Sequence, residues 1–200
     1  MGDDAAFSLR HELVRKGWHA LSVVVPLGYA RGVARPVLIW VLVAALVFAV
    51  VVEVARSWSA VARSAFNTGF GALLREHESR GVSGATWLVL AFLIAAIVFP
   101  ADVAIAAMCG VALGDAAAAI AGRAFGGVRA HHGKSLAGSV ACLAATALAA
   151  RWIADFTWRE ALIAGILASI AERPRHPLDD NLRITLAVGC GILLWRMGFS

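Results

Sequence analysis

The sequence predicts an all-α fold: a polytopic transmembrane bundle of about seven spans, with one amphipathic helix lying in the cytoplasmic interface. Three observations carry this. Hydrophobic residues make up 60% of the 200-residue chain and the mean hydropathy is +0.78, above the roughly 45–50% apolar content of soluble domains. Several apolar runs approach the ~17–25 residues that a helix needs to cross a bilayer. The basic residues gather in alternate loops instead of scattering. A single integral-membrane domain, residues 1–200, accommodates all of these features.

Taken in order, the candidate spans are Gly17–Ala30, Pro36–Ala55, Ala85–Phe99, Ala101–Ala121, Ser135–Ala150, Glu160–Ala171 and Leu182–Trp195. The first and sixth are short and Pro26 interrupts the first, which leaves a re-entrant segment or a tilted stub open for both. Asp3, Asp4 and the lack of a small-residue cleavage site after the first run argue against a cleaved signal peptide. Between the second and third spans, Trp58, Val61, Ala65, Phe66, Phe70, Leu73 and Leu74 recur at helical spacing among Arg63, Asn67 and Arg75. Ser57–Arg80 is therefore expected to form the interfacial helix. The cysteines, Cys109, Cys142 and Cys190, lie far apart in apolar segments without metal-binding spacing and read as small packing residues.

With seven crossings, one side collects thirteen of the 18 basic residues. They are Arg10, Arg15 and Lys16; Arg56, Arg63, Arg75 and Arg80; Arg123, Arg129 and Lys134; and Arg173, Arg175 and Arg183. Arg31, Arg35, Arg151, Arg159 and Arg196 fall on the other side. The positive-inside rule makes the richer side, and the N-terminus with it, cytoplasmic. Every polar cluster with chemical potential lies on that same side, within reach of cytoplasmic nucleotide.

Four clusters stand out. Glu12, Arg15 or Lys16, and His19 share one helix face in HELVRKGWH; a juxtamembrane segment snorkelling to headgroups has the same pattern. Asp115 sits roughly 9 Å inside the predicted end of its helix, a depth at which a carboxylate is costly and usually marks a functional or partnered charge. The loop GRAFGGVRAHHGKSLAGS ends in Gly-Lys-Ser, yet it is no Walker loop. The required first glycine falls on Val128, and the preceding Asp115-Ala-Ala-Ala-Ala-Ile-Ala is helix-forming rather than strand-forming. Arg123, Arg129 and Lys134 among glycines, with Ser135 opening the next helix, form a phosphate cradle of another kind. Adjacent His131 and His132 point apart on most backbones and read as exposed polar residues. Finally, Glu172 ends one span, and Asp179, Asp180 and Asn181 precede the next. One of those three is expected to be an N-cap. The acidic groups suit a hard cation such as Mg²⁺, which takes one or two carboxylates plus phosphate oxygens.

In chain order the blocks are Glu12, Arg15, Lys16, His19; Glu53, Arg56; Arg75, Glu78, Gly84, Thr86; Gly114, Asp115, Ala118, Gly122, Arg123, Gly126, Gly133, Lys134, Ser135, Gly138, Ser139; and Glu172, Asp179, Asp180, Asn181. This pattern resembles the CTP-dependent lipid kinases, the dolichol kinase, phytol kinase and yeast-type diacylglycerol kinase group, which is related to phosphatidate cytidylyltransferases. The resemblance implies CTP as phosphate donor, Mg²⁺ as cofactor, a membrane lipid alcohol as acceptor and a site facing the cytoplasm, with the bilayer as partner and no nucleic acid. On that footing Asp115 and Asp180 are expected to hold Mg²⁺, supported by Asp179 or Glu172. Lys134 and Arg123 are expected to hold the β- and γ-phosphates with Ser135, and Arg15, Lys16 and His19 to close the site. Gly114, Gly133 and Asn181 complete the expected nucleotide-binding set, with Asp115, Lys134 and Asp180 central to catalysis.

Two other readings compete. Cytidylyl transfer onto phosphatidate would use the same charges, but the signature ending in PGHGG…DR is missing from the sequence. A small transporter would place its polar residues near mid-membrane on broken helices, whereas here they gather at helix ends and no inverted repeat is visible.

Overall fold

The computed structural model describes residues 16–70, 81–125, 135–172 and 178–199. All the elements there are helices: α1 Val24–Ala30, α2 Arg35–Trp58, α3 Ala60–Phe70, α4 Gly84–Val98, α5 Ala101–Ala124, α6 Leu136–Trp152, α7 Trp158–Glu172 and α8 Asp180–Phe199. Residues 16–21 form a further helical stretch ahead of α1.

The boundaries follow local chemistry. Pro36 sits in the first turn of α2, where its missing N–H costs nothing. Pro100 ends α4 at an extended Phe99 and is itself the residue that starts α5. Ser135 caps α6, its hydroxyl accepting from the Gly138 N–H at 3.0 Å. At α7, Thr157 and Glu160 form a reciprocal box, Thr157 N–H to Glu160 Oε2 at 3.1 Å and Glu160 N–H to Thr157 Oγ1 at 3.3 Å.

The core mixes a few large residues, Phe92, Phe99, Met108, Phe156, Ile184 and Ile192, with many small ones. Ala95, Ala96, Ala104, Ala106, Ala107, Cys109, Ala112, Ala150, Ala164 and Ala168 are buried, while large side chains such as Trp40 (72% exposed) and Phe48 (71%) face outward. Small residues that bring backbones close are how helices associate in lipid, where burying a leucine gains little. Glycines continue the pattern: a Cβ at Gly165 would collide with the Leu143 carbonyl region of α6, and one at Gly189 with the Phe99 ring.

Two helices have the length and hydropathy of a membrane span, α2 and α5. They differ in place: 78% of the apolar window of α5 is buried against 11% for α2, so α5 is the axis and α2 an outer wall. Helices α4 and α6 are apolar but shorter. Six of the seven expected spans correspond to one helix each, but seven full-length spans are not what the structure presents. The expected Gly17–Ala30 span breaks at residues 22–23 and leaves only the seven-residue α1. Within the expected interfacial segment a helix spans Ala60–Phe70; its expected continuation to Arg80 lies outside the described residues. No disulfide joins the cysteines, two of which are buried and one exposed.

Charges sit at both ends of the bundle. At the end carrying Pro100, Arg196 donates to Asp102 Oδ2 at 2.6 Å and to Glu160 Oε1 at 2.8 Å. Arg35 donates there to the last carbonyls of α4, Ala96 at 2.8 Å and Ile97 at 2.6 Å. The residues of chemical interest lie at the other end.

Candidate active site

The site is built on a defect in the central helix. Over Gly110–Gly114 helix α5 widens into a π-helical turn, and Asp115 is the next residue. Such turns recur at functional sites, since the extra residue re-aims the side chains after it. Asp115 is 5% exposed, and the ammonium of Lys16 (3% exposed) donates directly to its Oδ2. His19 Nε2 stands 3.6 Å from the same oxygen. Thus the segment before α1 folds back across 99 residues of sequence to clasp this carboxylate. The Lys16–His19 spacing on one helix face makes both contacts possible.

Helix register brings the other carboxylates to the same height. A Cβ built on Gly110 would lie 3.3 Å from Thr146 Cγ2, 3.4 Å from Ile184 Cγ2 and 3.7 Å from Ala168 Cβ, so α6, α7 and α8 all meet α5 there. Phe99 faces Gly189, so α8 runs antiparallel to α5. The Ser169 hydroxyl bonds the Ser139 carbonyl at 3.0 Å while Gly165 meets Leu143 and Ala147; α7 is therefore antiparallel to α6. Because Gly138 meets Ala118 and Gly114 meets Thr146, α6 is antiparallel to α5, and α7 parallel to it. From the Gly110 level, Asp115 is five residues on, Glu172 four on and Asp180 four back, each about 6–7.5 Å toward one end. Three carboxylates therefore share one level of an apolar bundle, which is tolerable only with counter-charge. Lys16 supplies some of it, and Arg183 pairs with Asp180.

The other expected residues divide. Asp179 is the N-cap of α8: its Oδ1 accepts from the Asn181 N–H at 2.9 Å and from the Asn181 side-chain amide at 2.7 Å. Asp179→Ala is expected to cost about 1 kcal/mol and Asp179→Ser almost nothing, read as thermal midpoints in detergent. Buried Asn181 also reaches the Gly84 carbonyl of α4 at 3.4 Å, tying α8 to α4. Ser135 adjoins Gly122 across the α5–α6 crossing, which sets it beside the turn that carries exposed Arg123. Gly114 lies against Cys142 and Thr146, where any Cβ would collide, so tight packing accounts for it. Arg15, Gly133 and Lys134 lie outside the described residues.

Sequence reading gave too little weight to a second cluster. Glu53, near the end of α2, accepts from the Ser83 N–H at 2.9 Å and the Thr86 hydroxyl at 3.2 Å through Oε1, while Arg56 donates to its Oε2 at 2.9 Å. Glu53 thus caps α4 from another helix, and Gly84 connects this cluster to Asn181. The Glu53–Arg56 spacing and the Gly84 and Thr86 of the next block signalled it; Ser83 carried no signal. Thr146 and Thr185 were missed too. Both are fully buried, Thr146 facing the π-helical turn and Thr185 adjoining Ile184 that faces it, with hydroxyl oxygens that find no hydrogen-bond partner among the described residues. A threonine isolated in an alanine run was the one trace of Thr146; Thr185, between Ile184 and Leu186, left none.

Among the described residues, no group of three or more His, Cys, Asp or Glu side chains converges closely enough to hold a metal alone. The donor set, hard carboxylates on separate helices, fits a Mg²⁺ shared with phosphate and water rather than a preformed cage.

No family model matches the chain, and no solved structure matches it. Among curated proteins it is similar to CTP-dependent diacylglycerol kinase 1 of Saccharomyces cerevisiae, with 27% identity over 138 residues, 68% of this chain. The likeness is distant. The chain spans about half the length of that relative, 48%.

Proposed function

We propose that this protein is a multi-pass membrane kinase that transfers the γ-phosphate of CTP to the hydroxyl of a lipid alcohol at the cytoplasmic face. The observation that carries the reading is the placement of Asp115, Glu172 and Asp180 at the same end of an apolar bundle, with Lys16 donating to Asp115. The similarity to a CTP-dependent diacylglycerol kinase supports the choice of donor and of acceptor class.

In this mechanism the lipid hydroxyl oxygen attacks the γ-phosphorus, the bond from that phosphorus to the β–γ bridging oxygen breaks, and CDP leaves. Transfer of this kind depends mainly on positioning and charge neutralisation. Arg123, Lys134, Gly133 and Ser135 would hold the phosphates with the free N–H groups at the start of α6, and Arg15, Lys16, His19 and Asn181 would close over the nucleotide. Asp115 and Asp180 would hold Mg²⁺, with Glu172 or Asp179 in support. The ion, when bound, offsets charge on the phosphate oxygens. One of these carboxylates takes the hydroxyl proton. Lys16 would orient Asp115 and offset its charge in its low-dielectric surroundings.

The test uses purified protein with Mg²⁺ and a pool of diacylglycerol, polyprenol, phytol and phosphatidate. Parallel reactions carry CTP labelled at the γ- or the α-phosphate. Label is expected in the lipid fraction from the γ position alone, and chromatography of the product identifies the alcohol. Label from the α position instead would identify cytidylyl transfer to phosphatidate.

A further inference from the structure

Where α2 meets α3 the chain turns sharply at Ser59, which is extended, and two cavities open around one side chain. The first, about 450 Å³, is lined by Glu53, Val54, Arg56, Ser57, Arg63, Gly81 and Val82. The second, about 440 Å³, is lined by Ala60, Arg63, Ser64, Asn67 and Thr68. Arg63 lines both. We infer that this elbow binds the phosphate headgroup of an anionic glycerophospholipid of the surrounding bilayer, at a site separate from the one that binds nucleotide. The inference rests on membrane embedding but not on the kinase reaction.

Charge and fixation come first. Arg63 Nε donates to the Arg56 carbonyl at 3.0 Å and Nη2 to the Ser57 carbonyl at 3.3 Å. These are carbonyls at the end of α2 that the helix itself leaves unpaired, and the negative end of its dipole favours a guanidinium there. Among the described residues no carboxylate pairs with Arg63, because Glu53 is committed to Arg56, Ser83 and Thr86. Among the described lining residues, Arg56 and Arg63 stand against the one carboxylate of Glu53, which leaves this part of the wall net positive. A guanidinium already held by its carbonyls loses little freedom when it meets a phosphate, and its planar fork suits phosphate oxygens.

Place and chemistry agree. Asn67 Oδ1 is buried and finds no hydrogen-bond partner among the described residues, so a second group at the elbow can accept from a donor, which a glycerol hydroxyl can provide. Both are open surface hollows, shaped to take a headgroup from the bilayer side rather than to enclose a ligand. Helix α2 presents an apolar outer wall up to exposed Trp58, and Val61 on α3 is exposed as well. Tryptophan at a helix end beside arginine marks the headgroup level of a bilayer. Acyl chains along α2 would leave a headgroup at this elbow.

Phosphatidylglycerol is a suitable probe because the proposed kinase neither consumes nor makes it. Protein in micelles doped with equal amounts of phosphatidylglycerol and phosphatidylcholine is analysed by native mass spectrometry for retained lipid. Wild type is expected to retain phosphatidylglycerol in preference. Arg63→Gln should reduce that preference roughly tenfold, the loss of one charge-assisted contact. Ser57→Asp, which leaves the backbone partners of Arg63 in place, should do the same with unchanged circular dichroism. The double variant Asp115→Asn/Lys16→Met, in which no ammonium is left stranded, should leave retention intact. Equal retention of the two lipids by wild type, or no effect of either elbow variant, overturns the inference. So does loss of retention in the double variant with unchanged circular dichroism, which would place the lipid in the nucleotide site. Displacement by millimolar inorganic phosphate would identify a soluble-anion site and overturn it equally.

Discussion

Asp115→Asn is expected to reduce phosphoryl transfer by roughly 10³-fold, the scale for removing a central electrostatic element from a preorganised site. It should also destabilise the protein, for a reason unrelated to catalysis. Lys16 is as buried as Asp115 and donates to it. Removing the carboxylate charge strands an ammonium in apolar surroundings, at a cost of about 3–5 kcal/mol. Adding Lys16→Met removes the stranded charge, so the double variant should regain much of the lost thermal stability while staying inactive. Melting followed by circular dichroism in detergent, beside the γ-label assay, separates the two effects. Full activity in either variant would remove Asp115 from the catalytic role.

The second large effect is expected at Gly138. Its virtual Cβ lies 2.7 Å from the Ala118 carbonyl oxygen and 3.3 Å from Ser135 Oγ. The first obstacle is backbone, which cannot swing aside as a side chain does. Gly138→Ala must therefore push α6 away from α5, at a cost of about 1–3 kcal/mol for overpacking. The crossing it opens is the one that holds Ser135 beside the turn carrying Arg123, so nucleotide affinity should fall along with stability. Gly17→Ala is the matched control, since nothing lies within 4 Å of a Cβ there. Loss confined to Gly138→Ala is the expected result; equal melting temperatures for the two would mean that the helices part without penalty.

The helices and their ends were legible because local chemistry decides them. Ser135 and Asp179 are caps wherever their helices pack, and prolines at positions 36 and 100 divide the chain by covalent geometry. Asp115 was legible for a similar reason: a carboxylate deep in an apolar helix is costly in any arrangement. What a single sequence could not supply was rotation and partnership. A soluble helix announces its inner face through a polar outer one. These helices are apolar on both faces, so the inward face is chosen by fine contacts such as Gly110 against Ala168 and Ile184, or Gly189 against Phe99. Those contacts set the heights of Glu172 and Asp180 relative to Asp115. They also explain why Glu53 reaches Ser83 and Thr86, 30 and 33 residues away, and why Lys16 finds Asp115 across half the chain. The sequence by itself determined which residues are too polar for their surroundings. Only the tertiary structure decided which of them meet, because where helices are apolar on both faces it is shape complementarity between small residues, and no hydrophobic face, that fixes how they turn toward one another.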